Sequence, residues 1–142
     1  MTHISTEQLA NEPILICTYA DHMSPEDVFA SFHVIREIAL TFRKPFGILI
    51  IDTSLAEGTF QEMITLLKIN DDPAADADMQ FDMRLIMVGT SAMVKFYVNA
   101  AKQQQFGAQT IPLFAHLEDA IDAARTMVRT HEQGDMQPTG AE

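Results

Sequence analysis

Cysteine and positive charge are both scarce in this sequence, and each shortage removes a class of protein. Cys17 is the only cysteine among 142 residues, so no disulfide can close within the chain and a reducing compartment is the default. Nine Lys and Arg stand against 20 Asp and Glu, giving a formal net charge of −11 at pH 7. Nucleic-acid binding needs clustered basic residues to neutralise phosphates. Here only Arg43 and Lys44 are adjacent. The same deficit disfavours anionic membrane surfaces. Apolar runs stop far short of the roughly 20 residues a membrane span requires. The opening MTHISTEQLANEPILI lacks the basic start and long apolar core of a secretory leader. The expectation is a cytoplasmic protein with neither nucleic acid nor membrane as partner.

What is present is a series of short apolar segments separated by helix signals. PILICTYA (13–20) reads as a central strand, with residues 1–11 able to supply a short antiparallel partner. Ser24, Pro25, Glu26 and Asp27 then form a helix start, combining a cap, a first-turn proline and acids at the positive end of the dipole. Val28, Phe29, Phe32, Ile35, Ala39 and Phe42 recur at helical spacing, so this helix should reach about Phe42. FGILIID (46–52) is a second buried strand. Thr59 and Glu62 have capping-box spacing ahead of the helical MITLLKI. NDDPAADADMQFD (70–82) reads as a solvated loop. MRLIMVG (83–89) is a third strand, and Thr90 and Ser91 can cap the helix AMVKFYVNAAKQQQ. TIPLFA (110–115) is a strand near an edge, because Pro112 cannot donate to a ladder. LEDAIDAARTMV is a final amphipathic helix.

Continuously apolar strands alternating with helices imply a mostly parallel sheet covered by helices. The predicted fold is α/β, a mixed, mostly parallel sheet of four to five strands under about four helices. One domain should span residues 1–130, followed by a polar, disordered tail over 131–142.

Constellations that carry chemistry are sparse. Asp52 ends a strand as a receiver phosphoacceptor would, but Asp21 is followed by His22 rather than a second acid, and PLFAHLED supplies no lysine. A phosphatase of the Asp-x-Asp kind would need an acid where Ser54 stands. A turn or cap role suits the carboxylate. His3, His22, His33, His116 and His131 show no close metal spacing. The aspartate loop lacks the glycine and twelfth-position glutamate of a calcium loop. Cys17 lies inside a strand, where it behaves as a small hydrophobe. Nothing here calls for a cofactor, a metal or a catalytic residue. Met63, Met79, Met83, Met87 and Met93, with Phe96, Tyr97 and Phe106, are either core fillers or an adaptable apolar surface.

The order of elements, together with SPEDVFASFHVIREIA, GILIIDTS, MRLIMVGTSAMVKFYVNAA and IPLFAHLEDAIDAA, resembles the STAS domain. That domain is shared by anti-sigma-factor antagonists and the cytoplasmic parts of sulfate transporters, and the likeness is greatest to small bacterial members of unassigned role. It covers roughly residues 13–128. The resemblance implies a phosphorylated Ser or Thr near Thr59, often preceded by Asp, where phosphorylation breaks a complex with a partner kinase. Here Gly58 precedes Thr59, and the capping box alone accounts for that threonine. Thr59, Ser54 and Thr53 are thus the candidate phosphoacceptors.

Two functions follow as expectations. The first is a non-enzymatic regulatory module of STAS type that binds a protein partner or itself, as a homodimer. The second is a carrier or sensor of a small apolar or anionic ligand at the carboxyl edge of the sheet, where open parallel sheets place ligands. Its candidate residues are Asp52, Gly89, Thr90, Ser91 and His116.

Overall fold

A computed structural model describes residues 4–22, 25–39, 41, 46–57, 61, 64, 82–103 and 110–136. Strand β1 (Ile4–Gln8) turns back through Asn11, in the left-handed region at φ 61°, into β2 (Ile14–His22). Asparagine tolerates that conformation better than most residues. Glu12, in the same turn, forms a two-pronged ion pair with Arg125, both N···O distances 3.1 Å, and so ties the hairpin to the last helix.

Helix α1 (Pro25–Ala39) opens on its proline with Glu26 and Asp27 in the first turn. It stops before the expected Phe42, which lies outside the described residues. Thr41 closes it by donating its N–H and its hydroxyl to the Ile38 carbonyl, at 3.0 and 2.6 Å. Strand β3 (Phe46–Glu57) is followed, beyond an undescribed stretch, by β4 (Asp82–Val88). Helix α2 (Ala92–Ala101) is capped by Ser91, whose Oγ accepts from Val94 N at 3.2 Å. Strand β5 (Leu113–Phe114) is shorter than TIPLFA suggested. Pro112 has no N–H to give and serves only as acceptor, taking a bond from Met87 N at 2.9 Å. Helix α3 (Leu117–Met136) completes the described chain.

The sheet order is β1-β2-β3-β4-β5, with β1 antiparallel to β2 and every other pair parallel. This is the mostly parallel α/β sheet the sequence predicted. Three helices are described against about four expected. The predicted helix after Thr59 falls largely outside the described residues, with only Gln61 and Ile64 seen, both helical.

Strand alternation sorts the core into two layers. Leu15, Cys17, Tyr19, Leu49 and Ile51 face α1 and α2, meeting Ile35, Val94, Tyr97 and Val98. Ile14, Ile16, Ile48, Ile50, Ile86 and Val88 face α3, which approaches through Ala120 and Ala124. Each buried isoleucine contributes about 1.5–3 kcal/mol relative to exposure. Met87 and Tyr97 are buried in the first layer, and Met93 and Phe96 pack against it, so these members of the soft apolar group are core. Met63, Met79 and Phe106 lie outside the described residues.

Helix α3 does not stop at Val128. It continues to Met136, so residues 131–136 of the expected tail are helical. The His131 ring stacks on buried Phe46 with centroids 4.0 Å apart, an anchor for the final turns.

Candidate functional site at the carboxyl rim

The parallel register aligns Thr18, Asp52, Val88 and Phe114 in one row across four strands. That row is the last one shared by β3 and β4. Beyond it β3 continues to Glu57, paired among the described residues with β2 alone, so within them Ala20–His22 and Leu55–Glu57 project past the sheet as a two-stranded ribbon. The strand expected to end at Asp52 therefore runs on.

It runs on through a bulge. Thr18 pairs with Asp52 and Ala20 with Leu55, so Thr53 and Ser54 together oppose Tyr19. Bulges are rare between parallel strands and re-aim the side chains that follow. Asp52 holds this one: its Oδ1 accepts from Ser54 N at 3.0 Å and from Ser54 Oγ at 2.6 Å. The extra residue restores Leu55 to the α3 side, where it is 66% exposed, while Ala56 packs into the α1–α2 layer. The Asp52 carboxylate and the Ser54 hydroxyl are the lock of this bulge.

Thr53 points the other way. Its Oγ1 donates to the Val88 carbonyl at 2.7 Å. A Cβ on Gly89 would collide with that oxygen and lie 3.2 Å from Val94 Cγ1. Gly89 N donates to Phe114 O at 2.9 Å, which sets Gly89 and Thr90 beside the β5 exit. Thr90, Ser91 and His116 are exposed.

The candidate residues thus meet along one rim but on two sides. Thr53, Gly89, Thr90 and Ser91 gather where α2 begins. Asp52 and Ser54 sit on the α3 side, and His116 lies just before α3. Thr59 lies outside the described residues. Among the hydroxyls, Ser91 is occupied as a cap, Thr53 by a carbonyl and Ser54 by Asp52.

Thr18 was missed by sequence reading. On the α3 side of β2, half-buried and directly beside Asp52, its side chain makes no hydrogen bond among the described residues. Its place mid-strand gave no signal; only the register reveals it.

A second polar group is sealed in the α1–α2 layer. Thr6 Oγ1 donates to Cys17 Sγ at 3.5 Å. Burial pushes the Cys17 thiol above its ordinary value. It drives the Tyr19 phenol far above its own, with the neighbouring thiol adding to the effect. The Tyr19 hydroxyl makes no hydrogen bond of good geometry among the described residues, although Ser31 is a polar neighbour. A thiolate is the reactive form of cysteine, so this environment makes Cys17 inert.

No family model matches the sequence, and no curated protein matches it. Solved structures do. An uncharacterized protein of the DUF3478 family with a SpoIIAA-like fold, from Shewanella loihica PV-4, superposes with a TM-score of 0.57 at 16% identity, covering 85% of this chain and 91% of that one. An anti-sigma factor antagonist from Mycobacterium paratuberculosis gives a TM-score of 0.49 at 16% identity, covering 86% of this chain and 94% of that one. Among the described residues, no helix is long and apolar enough to cross a membrane. With the element order and sheet described above, the first likeness fixes the architecture: this chain has a STAS-like, SpoIIAA-like fold.

Proposed function

We propose that this chain is a cytoplasmic, non-enzymatic regulatory module that binds a protein partner, or a second copy of itself, through the carboxyl rim. Leu55 carries this reading. A leucine 66% exposed at the end of a projecting ribbon gains apolar burial only when something covers it. Ser54 is exposed beside it, whereas the Thr53 hydroxyl is pinned. A phosphate on Ser54 would remove the donor Asp52 uses and set two negative groups together, so Ser54 is the described hydroxyl at which modification would disturb the ribbon. Sedimentation of the purified chain, alone and mixed with cell lysate, tests the proposal. Association that Leu55→Glu abolishes supports it. A wild-type chain that stays monomeric and partnerless overturns it.

A second reading, a small-ligand carrier, is favoured by the unused hydrogen-bonding capacity of Thr18 and Asp52. Native mass spectrometry of freshly purified protein would detect a bound small molecule.

A further inference from the structure

We propose that Thr18 and Asp52 form a subsite for the protonated amine of a small amphiphilic ligand, whose carbon chain lies toward Leu55. This deepens the carrier reading and rests on it.

Asp52 is a carboxylate only 8% exposed, and it forms no ion pair among the described residues. Its two hydrogen bonds both end on Oδ1, leaving Oδ2 with full acceptor capacity. Tyr19 OH is the one sealed polar side-chain atom without a partner among the described residues, so Oδ2 is open to an arriving N–H donor. Thr18 adds a hydroxyl acceptor in the adjacent strand at the same level. Neighbouring strands lie about 4.8 Å apart, so one ammonium group can reach both side chains.

Charge decides the sign of the ligand. A chain of net charge −11 disfavours an anion and favours a cation. Helix α3 starts three residues after Phe114, the β5 member of the row, and its first turn carries exposed Glu118 and Asp119. Those acids answer the positive end of the helix dipole, so the helix start does not oppose a cation. The bulge keeps Leu55 on the same side of the ribbon as Thr18 and Asp52, an apolar surface next to the carboxylate. A primary alkylammonium matches both features. A quaternary ammonium, lacking N–H donors, matches only the charge.

The test is an NMR titration of the full chain at neutral pH with n-butylammonium chloride. Tetramethylammonium chloride and sodium chloride at equal ionic strength serve as controls. Saturable shifts of the Thr18, Asp52 and Leu55 amides are expected with butylammonium alone. Asp52→Asn keeps an acceptor for Ser54 but removes the charge, and should weaken binding about tenfold or more. Thr18→Val keeps the branched shape, removes the hydroxyl, and should weaken it several-fold, while Ser54→Ala should leave it within about threefold. Equal shifts with sodium chloride, unchanged affinity in Asp52→Asn, or no saturation would overturn the subsite. Nα-acetyl-lysine-methylamide presents the same ammonium as a protein side chain. A preference for it would place the amine on a partner, and a preference for butylammonium on a free ligand; either upholds the recognition chemistry. A non-amine found by native mass spectrometry would sink the subsite and leave the carrier reading standing.

Discussion

Thr53 and Gly89 fit each other without room for a methyl group: the hydroxyl that donates to the Val88 carbonyl at 2.7 Å occupies the space a Cβ on residue 89 would need. Gly89→Ala should therefore destabilise the fold by about 1–3 kcal/mol in urea unfolding. Thr53→Ala opens the space, and adding it to Gly89→Ala should recover part of the loss. A double-mutant cycle should show coupling above about 0.5 kcal/mol. Additive losses would mean the two residues do not interact.

Asp52 should matter to the ribbon more than Ser54 does. Ser54→Ala deletes only the 2.6 Å bond and leaves the Ser54 N–H served, at a cost of about 0.5–1 kcal/mol. Asp52→Ala removes both bonds and should cost about 1–3 kcal/mol. Hydrogen exchange at Leu55–Glu57 should accelerate in both variants, and faster in the second. Unchanged protection would show that the bulge holds without its carboxylate.

Alkali should weaken the fold through Cys17. Burial raises the folded thiol above its ordinary value, so between the unfolded and folded pKa values the native state holds the extra proton. Stability is then complete below about pH 8.5, the ordinary thiol value, and falls as pH rises through the folded value. Urea midpoints measured from pH 7 to 10 should decline, and Cys17→Ala should flatten that decline while lowering the midpoint overall. In the native protein at pH 7.5, a thiol reagent should react with Cys17 only as fast as the fold opens.

The stack of His131 on Phe46 helps to hold the end of α3. His131→Ala removes the stack on Phe46 and should cost about 0.5–1.5 kcal/mol. The loss should concentrate in faster exchange after Val128, with little change near Ala120 and Ala124, which are fully buried.

How much of this could be read from sequence depended on whether the cause was local. Four apolar runs announced β2, β3, β4 and β5, because strands covered on both faces must be apolar throughout. Pro25 and Ser91 marked helix starts through their own chemistry. RTHEQGDM is polar and contains a glycine, so nothing in it demanded a helix; the His131 stack on Phe46, a contact distant in sequence, cannot be read from the segment itself. The bulge was hidden likewise, since an extra residue is visible only against the strand it pairs with. Asp52 could be singled out as a residue, but its role needed Ser54 in place and its free oxygen needed Thr18 alongside. Gly89 read as a strand stop, and the clash a Cβ there would make with Thr53 is visible only in the β3–β4 alignment.

The bulge also sets what insertion and deletion can do to β3. Removing Ser54 would leave Leu55 outward and Ala56 inward, now on an unbroken ladder, since Thr53 and Ser54 together fill the place opposite Tyr19. Straightening the strand with all its residues kept would instead swap Leu55 and Ala56 between solvent and core. The strand thus carries a spare residue, one that length variation could discard without reversing what either side of the ribbon displays.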